Sequence, residues 1–479
     1  MLRKILEMES IKLPSGWTST DLGSITISMS NGIGGNQNKE GRGLPVSRIE
    51  TIADESVNFS RIGFIEEYDE TKVGKYRLKR GEILFSHINS PVHLGKTALF
   101  DTDRELYHGI NLLRIIANEK VVCPRLLNYY CKYSRAAGEF SIIAQHAVNQ
   151  SSLNQKKLKA FSMPLPPLAE QTRIANKLDE LLAQVDTIKA RVDAIPGILK
   201  RFRQSVLSAA VSGRLTEEWR SENPEIALVS GNHLHSEQLE PIERHDYDLN
   251  LPDSWALVRL GAQVALVNGD RGKNYPNRSE YVEDGLPFIN TGHIEPDGTL
   301  AADRMNYITR EKFDSLGGGK IKKGDLVYCL RGATMGKTAM VDQFEEGAIA
   351  SSLVIVRPSD FLLTKYAYFY LVSPIGKSHI ASFDNGSAQP NLSAKSLSLF
   401  PLTLPSVDEQ REIVSRVESL LAFSEQIETR IDIGKSRADS LVQSILAKAF
   451  RGELVPQDPD DEPASVLLER IRGVEERFS

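Results

Sequence analysis

The chain has 479 residues, three cysteines and a formal net charge of -5. This length predicts about three domains and more than one core. Because Cys123, Cys131 and Cys329 lack metal-ligand spacing, we expect reduced thiols, not a disulfide scaffold or a zinc site. No apolar run approaches the roughly 18 residues of a membrane-spanning helix, and Met1 leads into charged residues, so we expect a cytoplasmic protein without membrane contact.

The two parts that begin near Leu13 and Leu251 are predicted to be mixed α/β domains. Short β-type runs such as Glu82–Phe85 and Leu326–Cys329 alternate with polar, glycine-rich loops. Tyrosine-rich helical stretches follow in both parts. Their tyrosines are interpreted as packing residues, with base stacking as the alternative.

Each of these domains has an early polar loop that could contact nucleic acid. Residues Asn31–Arg48 and Asn268–Arg278 place Asn, Lys and Arg among glycines. These side chains read base edges and phosphates, and glycine allows close backbone approach. A solvated surface loop is the alternative for any one residue. The negative net charge argues against nonspecific DNA binding, which depends on releasing counterions from phosphates.

A short motif in the second domain resembles part of a nucleotide-binding loop. Residues Gly332–Thr338 end in Gly-Lys-Thr, but they are one residue short of a phosphate-binding loop. The tetrapeptide Gly95–Ala98 repeats Gly336–Ala339 without an upstream glycine. We therefore predict that both belong to a scaffold strand or turn.

A tandem repeat organises the whole chain. Many residues between Leu153 and Leu215 recur between Leu392 and Leu454 at a constant offset of 239. The match is looser upstream, where Leu13–Trp17 pairs with Leu251–Trp255. Each copy therefore has a divergent first part and a closely matched second part.

The matched second part of each copy has the apolar spacing of a coiled-coil helix. Ser406 and Glu409 have capping-box spacing, and Gly213 and Gly452 are natural helix stops. A continuous helix and a break near Pro196–Gly197 are both compatible with the sequence. We expect the two segments to pack as an antiparallel pair with a domain at each end. The predicted seam consists of Ile174, Leu178, Leu181 and Val185 in the first copy and Ile413, Val417, Leu420 and Ile427 in the second.

These residues also carry a family resemblance. The run from Pro164 through Glu170, Gln171 and Leu178 to Gly213 resembles the central conserved region of type I restriction-modification specificity (S) subunits. The run from Leu404 through Glu409 and Gln410 to Leu454 resembles their distal conserved region.

The resemblance implies a DNA-recognition subunit that does no chemistry itself. Two target recognition domains, separated by long antiparallel helices with pseudo-twofold symmetry, would each read one half of a bipartite asymmetric site on double-stranded DNA. The helices, through the seam residues above, would dock two methyltransferase (M) subunits that methylate adenine N6. Two restriction (R) subunits would add ATP-dependent cleavage. S-adenosylmethionine, ATP and Mg²⁺ are expected on these partners, with no cofactor and no metal in this chain. Domains on one side of the duplex predict half-sites about ten base pairs, or roughly 34 Å, apart.

The resemblance and the repeat together give predicted boundaries. They are an N-terminal segment 1–12, recognition domain 1 at 13–167, central helical region 168–215, linker 216–250, recognition domain 2 at 251–405, distal helical region 406–455 and a tail helix 456–479. The linker contains His233, His235 and His245, which we interpret as solvated residues and not as metal ligands.

The candidate DNA contacts come from the early loops, from later polar loops and from two residues near the repeated tetrapeptide. In domain 1 they are Asn36, Lys39, Arg42, Arg48, His87, Asn149 and Gln150; in domain 2 they are Arg271, Lys273, Asn274, Arg278, Arg331, Ser387 and Gln389.

Two functions of other classes remain as alternatives. A coiled-coil scaffold without DNA readout explains the acidic helices, but it does not explain two divergent domains at matched positions. A nucleotide hydrolase that uses Gly332–Thr338 predicts ATP turnover by the isolated chain.

Overall fold

The computed structural model describes residues 13–90, 92–147, 150–229, 239, 242, 250–383 and 391–478. The chain forms two units. Unit 1 contains residues up to 193 and from 432 onward, and unit 2 contains residues 194–431.

The first copy contributes twelve strands and five α-helices to the described residues. They are β1 (Thr18–Asp21), β2 (Thr26–Asn31), β3 (Gln37–Asn38), β4 (Leu44–Val46), β5 (Gly63–Ile65), α1 (Glu70–Val73), β6 (Ile83–Phe85), β7 (Ile88–Asn89), β8 (Thr97–Leu99), β9 (Leu113–Ala117), α2 (Pro124–Ala136), α3 (Glu139–Ile143), β10 (Gln145–Ala147), β11 (Gln150–Ser152), α4 (Gln155–Lys159), β12 (Ser162–Leu165) and α5 (Leu168–Val211).

The rest of the described chain adds ten strands and seven α-helices. They are α6 (Glu217–Glu222), β13 (Ala256–Arg259), β14 (Val264–Asn268), β15 (Leu286–Ile289), β16 (Asn306–Ile308), α7 (Arg310–Ser315), β17 (Lys320–Lys322), β18 (Leu326–Cys329), β19 (Thr338–Met340), β20 (Glu346–Ile349), β21 (Leu353–Pro358), α8 (Thr364–Val372), α9 (Pro374–Phe383), α10 (Ala394–Ser398), β22 (Pro401–Leu404), α11 (Val407–Phe450) and α12 (Ala464–Phe478).

The strand order confirms both the tandem duplication and the mixed α/β class. Unit 1 contains an antiparallel sheet in the order β2-β9-β6-β8, and unit 2 contains an antiparallel sheet in the equivalent order β14-β21-β18-β19. A two-stranded ribbon, β1-β12 or β13-β22, also occurs in each. The second sheets differ, because unit 1 has β3-β5-β4 whereas unit 2 has the four-stranded β16-β15-β20-β17. The shared strands are therefore the scaffold, and the second sheets carry the divergence.

The two long helices are continuous. Helices α5 and α11 have 44 residues each, and Pro196 lies inside α5 without ending it. Both end shortly before a glycine in the left-handed backbone conformation, Gly213 with φ 79° and Gly452 with φ 74°. This conformation confirms the two glycines as helix stops.

The antiparallel packing of the helices is confirmed within each unit. In unit 1, ion pairs join Lys189 to Asp439 and Asp193 to Lys435, so one helix ascends in number as the other descends. In unit 2, Arg203 donates two hydrogen bonds to Glu428, at 2.9 and 2.8 Å, and Arg416 donates to the carbonyl of Leu215, just beyond the end of α5, which gives the same antiparallel order.

Each unit completes its core with the second half of a long helix from the other copy. In unit 1, Leu446 and Phe450 of α11 are buried, and the Phe450 ring meets Tyr130 edge-on with centroids 5.0 Å apart. In unit 2, Val206 and Ala210 of α5 are buried in the same way. Burying a side chain as large as phenylalanine contributes roughly 1.5–3 kcal/mol to stability.

The apolar seam needs a correction as a docking surface for partners. Ile174, Leu178 and Val185 are buried in the core of unit 1, and Ile413 and Val417 are buried in the core of unit 2. Leu181, Leu420 and Ile427 are partly buried. Because these side chains pack inside their own chain, a partner would have to contact other faces of α5 and α11.

A repeated Glu-Gln pair attaches each long helix to its domain. Trp17 donates its indole N–H to Glu170 at 3.0 Å, and Trp255 donates to Glu409 at 2.8 Å. The next residue, Gln171, accepts from the Cys123 amide at the start of α2 and donates to two backbone carbonyls.

The second copy has the same arrangement of its glutamine. Gln410 accepts from the Leu363 amide at the start of α8, and it donates to the carbonyls of Phe361 and Pro405. The predicted capping box is therefore half correct. Ser406 accepts from the Glu409 amide at 3.3 Å, but the Glu409 carboxylate faces the tryptophan.

The two carboxylates differ in their remaining partners. The second oxygen of Glu409 accepts from Thr216 at 2.7 Å and from Arg220 at 2.6 Å. The corresponding oxygen of Glu170 is buried and finds no hydrogen-bond partner among the described residues. Burial raises the pKa of Glu170, although the Trp17 hydrogen bond and the nearby Arg173 act in the opposite direction.

The chain end forms a helix, as predicted, and packs against the first described residues. Ala464 and Leu468 of α12 are buried in the core of unit 1, and the Ala464 amide donates to the Gly16 carbonyl at 2.9 Å. Arg173 of α5 forms a 2.6 Å ion pair with Asp461, just before α12.

We predict opposite effects from neutralising the two carboxylates. Glu409→Gln should destabilise the chain by about 3 kcal/mol because it leaves the Arg220 side chain, which is only 13% exposed, without its charge partner. Glu170→Gln should be neutral or stabilising at pH 7. Because the pKa of Glu170 is raised in the folded chain, ionisation of Glu170 lowers the free energy of unfolding as the pH rises through that pKa. The stability of Glu170→Gln relative to the parent chain should therefore grow with pH. Urea unfolding at several pH values measures both effects, and equal losses in the two variants would contradict the assignment.

Candidate nucleic-acid interface

In unit 1 the predicted contact loops leave one edge of the four-stranded sheet. Asn31 at the end of β2 and Phe85 at the end of β6 both pair with Leu113 at the start of β9. Antiparallel register therefore places the loops after β2 and β6, and the loop before β9, side by side.

Unit 2 has the same arrangement. Asn268 at the end of β14 pairs with Val354, and Cys329 at the end of β18 pairs with Leu353, so both strand ends meet the start of β21. Arg331 bridges to Asn391, which joins this edge to the end of the later polar loop. We call these two regions the recognition edges of units 1 and 2.

The repeated tetrapeptide is confirmed as a scaffold turn. Gly95 and Gly336 have φ values of 76° and 85°, and each lies two residues before the start of a strand, β8 or β19, that pairs antiparallel with β6 or β18. A phosphate-binding loop leads from a strand into a helix. Here Thr338 begins strand β19, so this segment lacks the architecture of a nucleotide site.

At the recognition edge of unit 1, a side-chain network joins the early and late loops. Asn31 donates to the Ile110 carbonyl at 3.2 Å and accepts from Gln155 at 2.9 Å. The late loop forms the hairpin β10-β11, and β11 pairs with β7 beside His87. Sequence reasoning missed Gln155, because only the contact across 124 residues reveals its role.

The cations of unit 1 are mostly paired with carboxylates. Asn36 and Lys39 are exposed. Arg42 contacts Glu40 and Glu66 in exposed ion pairs, and Arg48 pairs with Glu50. Exposed pairs of this kind contribute little stability, so a phosphate could replace the carboxylate.

The predicted contact cations of unit 2 differ from those of unit 1 in having no carboxylate partner among the described residues. Arg271, Lys273, Arg278 and Arg331 are exposed, and none forms an ion pair or a side-chain hydrogen bond with another residue that the structure describes. Their loop is nevertheless anchored, because Asp270 accepts from the amides of Gly272 and Gly317.

Asn274 belongs to the same anchored loop. Its side-chain amide donates to the Ser315 carbonyl at 2.7 Å, which ties the loop to the end of α7. Asn149, Ser387 and Gln389 lie outside the described residues, as do His233, His235 and His245. Of Gln150, only its backbone position in β11 is described.

His87 needs a correction as a predicted DNA contact. Its side chain is 6% exposed, and its ring nitrogen Nε2 lies 3.3 Å from the Asn31 amide. Burial lowers the pKa of His87 to about 4, so the ring is neutral at pH 7. His87 therefore positions Asn31 and cannot neutralise a phosphate.

Neither a metal-binding cluster nor a membrane-spanning helix occurs among the residues that the structure describes. No group of three or more His, Cys, Asp or Glu residues in this part of the chain could hold a metal ion. None of the helices in the described ranges is both long enough and apolar enough to cross a membrane.

The family of the chain follows from comparison with known proteins. The family model of the type I restriction modification DNA specificity domain matches residues 14–196 and 252–433. Each match covers one globular domain and the first part of its long helix. The chain therefore belongs to the type I restriction-modification specificity subunits, as the sequence resemblance indicated.

Individual relatives agree with this assignment. The chain is 34% identical over 338 residues to the specificity subunit of the type I restriction enzyme EcoBI from Escherichia coli, covering 68% of this chain and 67% of the relative. It is 28% identical over 487 residues to the EcoKI specificity subunit from Escherichia coli K12, covering 97% of each.

Solved structures support the fold. An HsdS subunit from Thermoanaerobacter tengcongensis aligns with a TM-score of 0.54 at 18% identity, over 93% of this chain and 99% of that one. A second solved chain aligns with a TM-score of 0.58 at 18% identity, over 92% of this chain and 99% of that one. Its structure is described as the basis of complex assembly and conformational transition of the type I R-M system.

We predict that buried histidines make unit 1 sensitive to acid. Burial lowers the pKa values of both His87 and His108 to about 4. A lowered histidine pKa stabilises the fold above the unfolded value near 6.5, and this stability is lost as the pH falls toward 4. Each shift corresponds to about 3 kcal/mol at most.

The double variant His87→Gln, His108→Gln tests this prediction. Urea midpoints measured between pH 7 and pH 4 should fall less steeply for the double variant than for the parent chain. Parallel profiles would show that these rings do not control the acid response.

Proposed function

We propose that this specificity subunit reads a bipartite asymmetric DNA site, with one half-site read by each recognition edge. The observation that carries the proposal is a pair of equivalent sheets whose loops emerge at the same edge with different polar and cationic side chains. A common scaffold presenting different loops favours two half-sites of different sequence.

The chemistry of the loops fits DNA readout. Arginine and asparagine form bidentate contacts to guanine and adenine, and lysine neutralises phosphates. At the edge of unit 2, exposed cations without carboxylate partners require no internal ion pair to be broken before DNA binds. At the edge of unit 1, the carboxylates beside Arg42 and Arg48 reduce nonspecific attraction.

The proposed partners are two methyltransferase subunits for adenine N6 methylation and two restriction subunits for ATP-dependent cleavage. S-adenosylmethionine, ATP and Mg²⁺ would bind to those subunits, and this chain would do no chemistry. Since the predicted seam is internal, the docking faces would be the exposed sides of α5 and α11. These sides carry Ile188, Ile198, Phe423, Ile433 and Leu441, which are about half exposed.

The proposed function is tested by a genome-wide map of methylated adenines in cells with the gene intact and deleted. A bipartite motif that disappears on deletion supports the proposal and identifies both half-sites. Replacing residues 251–405 with the matching domain of a relative should change one half-site only. A change in both halves would contradict the assignment of one half-site to each domain.

We further predict that Arg331 contributes to DNA affinity. Arg331→Gln should weaken binding of the complex to its site by roughly tenfold if the guanidinium contacts a base, since such contacts contribute about 1–3 kcal/mol. The matched control is Arg411→Gln at the start of α11, which removes the same charge from an exposed ion pair with Asp408. Fluorescence anisotropy with a labelled duplex measures both, and equal affinities would exclude Arg331 from the interface.

A further inference from the structure

A cationic cavity lies at the recognition edge of unit 1. It has a volume of about 360 Å³ and opens between the segment after β4 and the β6-β8 turn. Its polar lining consists of Arg48, Glu50, Ser86, His93, Lys96 and Asn111. Of these six residues, only Arg48 is among the predicted DNA contacts.

Two cations, Lys96 and Arg135, repel each other beside the cavity. Burial lowers the pKa of Lys96 and Arg135 lowers it further, although Glu55 and Asp54 act in the opposite direction and Glu55 forms an ion pair with Arg135 at 2.6 Å. Burial, Lys96 and Arg135 likewise lower the pKa of His93. The Lys96 ammonium donates one hydrogen bond to the Ala53 carbonyl at 2.6 Å and has two further protons to donate. An anion in the cavity would accept these protons and would relieve the part of the repulsion that the two carboxylates leave.

A carboxylate already faces the arginine of the cavity. Glu50 accepts from two nitrogens of Arg48, with one oxygen 3.2 Å from Nε and the other 3.4 Å from a terminal nitrogen. Burial opposes ionisation of Glu50, but a backbone hydrogen bond, Arg48 and Lys39 outweigh it and lower its pKa. A phosphate presents the same two-oxygen edge to a guanidinium as a carboxylate does.

We propose that this cavity binds a backbone phosphodiester of DNA and that Glu50 occupies Arg48 until the phosphate displaces it. Lys96 and His93 line the same cavity, and the exposed Asn111 amide adds a neutral donor. The proposal rests on the proposed DNA-reading function. It adds an anion site in which the Glu50 carboxylate competes with the phosphate for Arg48. It makes Glu50 a positioning residue that lowers DNA affinity at unit 1.

The second copy lacks this competitor. There Gly285-Leu286-Pro287 repeats Gly43-Leu44-Pro45, which places Asn290 and Gly292 at the positions of Arg48 and Glu50. The proposed exchange of a carboxylate for a phosphate therefore applies to unit 1.

The first test removes the competitor without removing a cation. Glu50→Gln in the full chain, assembled with its methyltransferase partner, should bind a duplex carrying the mapped site about fivefold more tightly, because an exposed carboxylate pair is worth up to about 1 kcal/mol. The control is Glu453→Gln, which breaks an exposed Arg-Glu pair of the same spacing, with Arg451 in the tail. Unchanged or weaker binding by Glu50→Gln would overturn the proposal.

The second test identifies the ligand as a phosphodiester. Lys96→Gln keeps a donor for the Ala53 carbonyl, and it should lower the slope of log affinity against log salt by about 0.9, the value for one phosphate contact. A duplex with one neutral methylphosphonate linkage at the contacted position should abolish the advantage of Glu50→Gln. If Glu50→Gln retains its advantage at every linkage tested, the proposal fails.

A third arm separates DNA from a free anion. Inorganic phosphate is titrated into the complex with and without the duplex, and binding is followed by calorimetry. Phosphate that binds with equal affinity in both cases would show a free-anion site not occupied by DNA, which overturns the proposal. Competition between phosphate and duplex supports it.

Failure of this inference is distinguishable from failure of the proposed function. A methylated motif that depends on the gene, combined with an unaltered affinity of Glu50→Gln, would reject only the cavity. Loss of any link between the gene and methylation would reject the proposed function, whatever the cavity binds.

Discussion

The attachment of each long helix to its domain depends on two adjacent polar side chains at the start of that helix. The glutamate accepts a hydrogen bond from a buried tryptophan, and the following glutamine forms hydrogen bonds with three backbone groups. A buried amide that satisfies several backbone groups is costly to remove, because each released donor or acceptor loses its hydrogen bond without gaining water. Helix and sheet are thereby fixed in register, and the loops at the far edge can change without disturbing either.

The separation of a shared scaffold from variable loops explains how the two copies tolerate sequence divergence at their recognition edges. The four-stranded sheet and its ribbon pack with the helices in the main core of each unit, whereas the loops at the recognition edge are held by a few side-chain contacts such as those of Asp270 and Asn31. Changing a loop therefore costs little of the core energy. The second sheets, which differ in strand number between the units, show how far this freedom extends.

Features with a local cause could be predicted from the sequence, and features that depend on distant contacts could not. Gly213 and Gly452 were identified as helix stops because only glycine adopts the left-handed conformation readily. The same spacing rules assigned Glu409 to a capping box, but its carboxylate contacts a tryptophan 154 residues away. His87 and the helical seam failed as contact residues for the same reason, since their burial is decided by strands and helices remote in sequence. The network of Gln155 with Asn31 had no local signal at all.

The way in which the cores are completed also constrains ancestry. Each compact unit takes a domain and half a helix from one copy and the remaining half-helix, with Phe450 or Val206, from the other. A gene encoding a single copy would leave its own domain short of these side chains. Two such polypeptides would have to exchange helices to fold fully, as in a domain-swapped homodimer. Fusion of two genes would make this exchange intramolecular, and it would free the two reading domains to evolve separately.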